Sequence, residues 1–124
     1  MSFVLKQKAT FTWPVTIVLP IDGGHKEKST FDCEFKRLPQ SRINQIIKVA
    51  RLMEVDAIDE EERLEDQGAA KEILCGWSGV VDDKGTEIKF SEAKLNELLE
   101  IPTVASQIVK AWFQSLDISK RKNS

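Results

Sequence analysis

A change in the spacing of apolar residues at Leu38 constrains this chain more than any other feature of its sequence. Before it, residues 11–19 and 30–37 alternate between apolar and polar side chains, and a polar segment with two glycines separates the two runs. Alternation with a period of two is typical of strands that bury one face. Two such runs joined by a glycine-containing loop predict a β-hairpin over residues 11–37.

After Leu38 the apolar residues recur at steps of three and four, which is the period of a helix with one buried side. Pro39 suits the first turn of this helix, where its missing amide hydrogen costs nothing, and the apolar stripe continues to Met53. The acidic residues 56–67 follow, and we expect a loop or the exposed start of a helix there. A short helix through Leu74 comes next.

The last third of the chain alternates again and then returns to the helical period. Residues 77–90 surround the turn signal at 82–85 and predict a short second hairpin. Ser91 is a good N-cap for a short helix, and Pro102 marks the start of a final helix through residue 116. The chain is therefore predicted to be an α+β protein, with an N-terminal β-hairpin followed by a small helical group that includes the short second hairpin.

Length and composition are consistent with one folded domain. The chain has 124 residues, of which 41% are hydrophobic and 31% are charged, so one core is expected and two are not. We expect a single domain over residues 1–124. Its predicted parts are the hairpin at 11–37, a mainly helical part at 39–118 and a disordered tail at 119–124.

Charge and cysteine content exclude several classes of partner and location. A net charge of -2 gives no long-range attraction to nucleic acid or to anionic lipid. No apolar run approaches the ~20 residues that span a bilayer. Two cysteines, Cys33 and Cys75, make no disulfide framework. We expect a cytoplasmic protein with reduced thiols, and a Cys33–Cys75 disulfide is the alternative.

The residues that usually carry catalysis are scarce. The single histidine, His25, lies in the glycine-rich loop without an evident partner, and is better explained as a surface residue than as a base. The acidic residues 59–66 are better explained as a solvated face than as an acid–base pair, because nothing apolar surrounds them. No zinc-ligand spacing is present. The sequence therefore predicts a protein that is not an enzyme and that has no cofactor and no metal.

Two surfaces offer a physical basis for protein binding. The last helix is apolar over more than one stripe, so one side can pack on the domain while the other meets a partner. The first hairpin offers an edge, because Pro14 and Pro20 lack amide donors and favour an edge position or a bulge for their strand. The tryptophans Trp13, Trp77 and Trp112 could lie in the core or at an interface, and the core is the favoured place for any one of them.

Several stretches together resemble the tail assembly chaperones of long, non-contractile-tailed phages and their prophages. The resemblance lies in the order of Gly-Trp-Ser-Gly-Val at 76–80, a turn, Phe-Ser at 90–91 and Leu-Leu-Glu-Ile-Pro at 98–102. It also includes residues 15–20, 22–24, 30–39 and 108–113. The similarity covers most of the chain apart from the acidic middle and the tail.

The resemblance implies a non-enzymatic protein of the host cytoplasm that is absent from the mature virion. Such chaperones bind the helical, aggregation-prone tape measure protein while tail tube subunits assemble around it. The tail tube protein and a second copy of the chain are further candidate partners, whereas nucleic acid and membranes are not. In many members a ribosomal frameshift gives a longer product.

Within this resemblance we assign a binding role to one set of residues and a structural role to another. The residues expected to form an exposed apolar surface for the client are Leu98, Ile101, Trp112, Phe113 and Leu116. The residues expected to fix the fold are Gly76, Trp77, Gly79, Val80, Phe90 and Pro102. Alternative functions are a minor structural tail protein, a generic protein-binding module and, least favoured, a hydrolase that uses the acidic cluster.

Overall fold

Three strands and four helices make up the part of the chain that the computed structural model describes, residues 2–56 and 60–117. Side chains are described for residues 2–48 and 66–117. The combination of an antiparallel sheet with separate helices confirms the predicted α+β class. The elements in chain order are β1 (Thr10–Ile21), β2 (His25–Lys36), α1 (Gln40–Asp56), α2 (Glu60–Ile73), β3 (Leu74–Ser78), α3 (Glu92–Glu100) and α4 (Val104–Ser115).

Strands β1 and β2 form the predicted N-terminal hairpin. They pair antiparallel without a shift of register, from Thr10↔Lys36 to Ile21↔His25. A short 3₁₀ turn at Asp22–Gly24 joins them, so the loop is shorter than the alternation suggested. The sheet order is β1-β2-β3, which places β1 at an edge, as predicted from its two prolines.

The third strand of the sheet, β3, was not predicted. It pairs antiparallel with β2, with Cys33 opposite Trp77, and it includes Leu74, which the sequence assigned to the preceding helix. That helix, α2, ends at Ile73. Ile73 and Leu74 are both buried, and a short apolar run of this kind fits a buried helix end and a buried strand equally well.

The short second hairpin is present in a minimal form. An antiparallel bridge joins Val81 to Glu87, and the amide of Ile88 donates to the carbonyl oxygen of Val80 at 2.7 Å. The Asp82 carboxylate accepts two backbone amides at 2.9 Å each and so stabilises the turn. Trp77 belongs to the sheet and not to this hairpin.

One continuous hydrophobic core lies between the sheet and the helices. Helix α4 contacts α2, α3 and β1, so it is packed on several sides. Its buried face carries the largest aromatic side chain of the core. The buried side chains come from the hairpin (Val15, Ile17, Phe31, Cys33, Phe35), from α1 to β3 (Ile43, Ile46, Ala70, Ile73, Leu74), from α3 (Leu95, Leu99) and from α4 (Val104, Ala105, Ile108, Val109, Trp112, Phe113).

The predicted helix starts are close to the observed ones. The Ser91 hydroxyl accepts the amide of Lys94 at 3.1 Å, which confirms its role as the N-cap of α3. Pro102 lies in the turn between α3 and α4, two residues before α4 begins at Val104. The apolar stripe predicted at Met53 and the tail at 119–124 lie outside the residues whose side chains are described.

Candidate partner-binding surface

The two aromatic residues predicted to form a client surface on α4 are buried. The exposed fraction of Trp112 is 0% and that of Phe113 is 3%. Their rings pack against each other with centroids 5.3 Å apart. Their assignment to an exposed surface is therefore wrong, because α4 is enclosed by α2, α3 and β1, and its wide apolar stripe is used in the core.

The other three members of the predicted client surface lie around α3 and the end of α4. Leu98 and Leu116 are half-buried and pack against the core. Ile101, which follows α3, is 40% exposed. The structure therefore buries or half-buries four of the five residues and leaves Ile101 as the exposed large apolar side chain among them.

Trp77 connects the sheet to the minimal hairpin. Its ring makes edge-to-face contacts with Phe31 at 6.5 Å and with Phe90 at 5.0 Å, and its Nε1 donates to the carbonyl oxygen of Ile88 at 2.8 Å. Val80 is half-buried against the same core. Trp77 thus spans an apolar contact and a hydrogen bond at once, an arrangement that suits a tryptophan at the margin of a core.

Two glycines of the same motif occupy positions with little room for a side chain. Gly79 has a φ of 93°, a left-handed conformation that other residues adopt at a cost. A Cβ there would also lie 3.4 Å from the Cβ of Phe31. A Cβ at Gly76 would lie 2.6 Å from Oε1 of Glu34. The turn after β3 therefore depends on Gly79, whereas Gly76 permits the close approach of Glu34.

Exposed apolar side chains are found instead before and within β1. Phe3 is 82% exposed, Leu5 is 90% exposed and Val4 is also exposed. Trp13, in β1, is 38% exposed, so the expectation that it belongs to the core is wrong. The alternation placed Trp13 on the same side of the strand as the buried Val15 and Ile17, and the contact of Gln107 in α4 with β1 lies further along, at Val18. Residues 3–5 carry no periodic pattern that could have identified them.

Trp13 lies in a well-ordered setting on β1. It is paired across the ladder with Cys33, and two positions away Phe11 packs against Phe35 with ring centroids 5.7 Å apart. The guanidinium carbon of Arg37 lies 5.0 Å from the centre of the Phe11 ring, a cation–π distance. The strand thus holds Trp13 as a fixed, partly exposed aromatic side chain.

A side chain of α4 closes part of the β1 edge. Oε1 of Gln107 accepts the amide of Val18 at 2.8 Å, and Nε2 of Gln107 donates to the Val18 carbonyl oxygen at 2.9 Å. The primary amide thereby imitates the backbone of a neighbouring strand. Periodicity could not have identified this contact, since Gln107 reads as an ordinary polar residue of an amphipathic helix.

Both cysteines are free thiols. Burial, followed by the nearby Asp32 carboxylate, raises the pKa of the Cys33 thiol to about 12, so that it stays protonated at neutral pH. Burial and the Glu34 carboxylate also raise the pKa of Cys75. Cys75 lines a shallow groove of about 270 Å³ between Lys36 and Lys71. Raised pKa values make both sulfurs weak nucleophiles.

The described residues offer neither a metal-ion cluster nor a membrane-spanning helix. No group of three or more His, Cys, Asp or Glu side chains there is placed to hold a metal ion. No helix in the same part of the chain is both long enough and apolar enough to cross a membrane.

Comparison with known proteins gives one match. The family described as YdaY prophage protein matches residues 29–123, which is more than half of the chain. No curated protein and no solved structure matches. The match begins within β2, so residues 3–5 and Trp13 precede it.

Proposed function

We propose, from the premise that this chain belongs to the YdaY prophage protein family, that it is a non-enzymatic tail assembly chaperone. Membership establishes a prophage protein. The proposal adds that the chain binds the tape measure protein in the host cytoplasm during tail assembly and is absent from the mature virion. The support is the resemblance in the sequence at 76–80, 90–91 and 98–102, together with the exposed apolar side chains described above.

The observation that carries the proposal is the exposed apolar surface on a charged body. Phe3, Val4 and Leu5 leave most of their surface to solvent, and Trp13 presents part of its indole. Transfer of a Phe or Leu side chain out of water contributes ~1.5–3 kcal/mol when burial is complete. A client with an apolar stripe can therefore gain affinity from these residues without any rearrangement of the core.

The two parts of this surface have different properties for binding. Trp13 is held by the β1–β2 ladder and loses little conformational freedom when a partner covers it. Residues 3–5 precede the strand, and the carbonyl oxygen of Val4 accepts a hydrogen bond from Nε2 of Gln7. The fixed aromatic residue supplies an anchor and the preceding segment adapts to the client, a combination that suits weak, repeated and reversible contacts.

Co-expression with the tape measure protein of the same prophage tests the proposal. The expected result is that the wild-type chain keeps the tape measure protein soluble and co-purifies with it. A variant with Phe3→Ser, Val4→Ser and Leu5→Ser, and a second variant with Trp13→Ser, should each recover less of the client. Val81→Ser is the matched control, because Val81 is an exposed apolar residue in the turn after β3.

Two results would contradict the chaperone role. If the tape measure protein precipitates while the wild-type chain elutes alone, the chain does not chaperone it. If mass spectrometry detects the chain in purified virions at a level comparable to tail components, it is a structural tail protein. Loss of client binding by Val81→Ser to the same extent as by Trp13→Ser would show that the surface around Trp13 is not the specific contact.

A further inference from the structure

The hairpin is longer than the part of it that the core covers. Residues 21–30 are exposed throughout, whereas the buried positions of the two strands begin at Phe31 in β2 and end at Ile17 in β1. Strand β3 pairs with β2 between Asp32 and Phe35. Within the described part of the chain, the start of β2 therefore has a neighbouring strand on the β1 side alone.

The direction of the backbone groups follows from the contact with Gln107. The amide and carbonyl of Val18 bind Gln107, so they point away from β2. In an antiparallel pair the residue opposite, Lys28, must then point its own amide and carbonyl away from β1. The outward direction recurs at every second residue, so the amides and carbonyls of Lys26 and Thr30 also point away from β1. They point to the side of β2 on which β3 pairs further along the strand.

The corresponding groups on the β1 edge are largely closed. Pro14 and Pro20 lie an even number of residues from Val18, so their backbone groups also point away from β2. The amide hydrogens that they lack are therefore outward ones, and the ladder to β2 is intact. Gln107 occupies the amide and carbonyl of Val18. A second strand would therefore find few donors along β1, whereas the outer edge of β2 contains no proline from His25 to Lys36.

We propose that this outer edge of β2, at Lys26, Lys28 and Thr30, binds an extended segment of a partner protein by strand addition. The segment carries acidic side chains at alternate positions. Thr30 faces away from the core, as its 2.8 Å hydroxyl contact with Thr16 shows. The two lysines share that face by alternation, and among the described residues neither is ion-paired. The backbone supplies affinity and the lysines select the charge of the partner.

A second copy of the chain does not fit the same edge. Antiparallel pairing of two β2 edges would bring Lys26 and Lys28 close to the same lysines of the other copy, and like charges across a ladder are destabilising. Pairing of β2 with the β1 edge of another copy would meet Pro14 and Pro20. The charge pattern therefore favours an acidic strand from a different protein. This surface is separate from Trp13, so the tape measure experiment and the one below can fail independently.

A labelled peptide tests the proposal. The probe is a strand of about eight residues in which glutamate alternates with valine, and the comparison peptide has lysine in place of glutamate. Fluorescence anisotropy should show saturable binding of the acidic peptide alone. The double variant Lys26→Glu, Lys28→Glu should weaken it by roughly tenfold or more. Lys110→Glu is the matched control on the exposed side of α4 and should leave binding unchanged.

A second variant separates backbone pairing from simple charge attraction. Lys28→Pro removes an outward amide, in the manner of the natural prolines of β1, and should abolish binding while far-UV circular dichroism stays unchanged. The proposal is overturned if the acidic peptide shows no saturable binding, if the lysine peptide binds equally well, or if the double lysine variant binds like wild type. It is also overturned if the wild-type chain is a dimer that Lys28→Pro converts to a monomer, since a second copy then occupies the edge.

Discussion

Replacement of Gln107 by alanine removes the side chain that joins α4 to the edge of the sheet. The amide makes two hydrogen bonds to Val18, at 2.8 and 2.9 Å. A net contribution of ~0.5–1.5 kcal/mol for each bond gives a loss of about 1–3 kcal/mol in the free energy of unfolding. Alanine is the better helix former by a few tenths of a kcal/mol, and this gain offsets part of the loss.

Urea unfolding followed by circular dichroism measures this loss. For an m-value of ~1–3 kcal/mol/M, the midpoint of Gln107→Ala should fall by about 1 M. Gln114→Ala is the matched control, because Gln114 is an exposed residue of the same helix and the change in helix propensity is identical. The difference between the two variants isolates the contacts of the Gln107 side chain, which are the two bonds to Val18 and one from Nε2 to the Thr103 hydroxyl at 3.0 Å.

Hydrogen exchange adds a local readout. The Val18 amide donates to Gln107, so its protection should fall sharply in Gln107→Ala. The amides of Ile17 and Leu19 point toward β2 and should keep their protection relative to global unfolding. Equal urea midpoints for Gln107→Ala and Gln114→Ala, with unchanged exchange at Val18, would refute the argument that this contact fastens the helix to the strand.

Four further predictions follow from the core, the turn after β3 and helix α2. Trp112→Ala should lower the free energy of unfolding by about 3–5 kcal/mol, and a loss below about 1 kcal/mol in urea would contradict its burial. Gly79→Ala should destabilise by about 1–2 kcal/mol because of its positive φ. Gly68→Ala, in an open part of α2, should stabilise the protein by about 0.5–1 kcal/mol. The thermal unfolding midpoints of the two glycine variants test both expectations. Since the pKa of the Cys33 thiol rises from 9.0 when unfolded to about 12 when folded, its contribution is fully present below pH 9.0 and is lost as pH rises toward about 12. Between pH 9.0 and about 12, the free energy of unfolding of Cys33→Ala should therefore fall less steeply than that of the wild type. An unchanged pH dependence would contradict the raised pKa.

Much of the fold could be predicted because local signals agreed with one another. The alternation around Val15 and Phe31, the glycines of the loop and the N-cap at Ser91 each act over a few residues, and the structure satisfies all of them. The third strand escaped prediction because Leu74 is placed by its partner. It lies opposite Phe35 in β2, and a contact between residues so far apart in the chain leaves no local pattern.

The client surface could not be predicted because apolar content does not reveal how many neighbours a helix has. A wide apolar stripe on α4 is expected both for a helix with one exposed apolar side and for a helix enclosed on several sides. The structure has the second arrangement, and Trp112 is buried as a result. Trp13 posed the opposite problem, since its position on the alternating side indicated burial, whereas its side chain is 38% exposed.

Both proposed surfaces include part of the hairpin, and its length gives a reason. Strands β1 and β2 have 12 residues each, whereas β3 has five. The core covers the middle of β1 and the end of β2. Trp13 and residues 21–30 therefore add ordered backbone that does not bury a matching apolar area. Ordering each residue costs ~1–2 kcal/mol, which ladder hydrogen bonds offset only in part. In both proposals, contact with a partner buries surface that the core leaves exposed. The two ends of the hairpin differ in what they offer to a partner: an aromatic side chain at Trp13 and a charged open edge at Lys26 and Lys28.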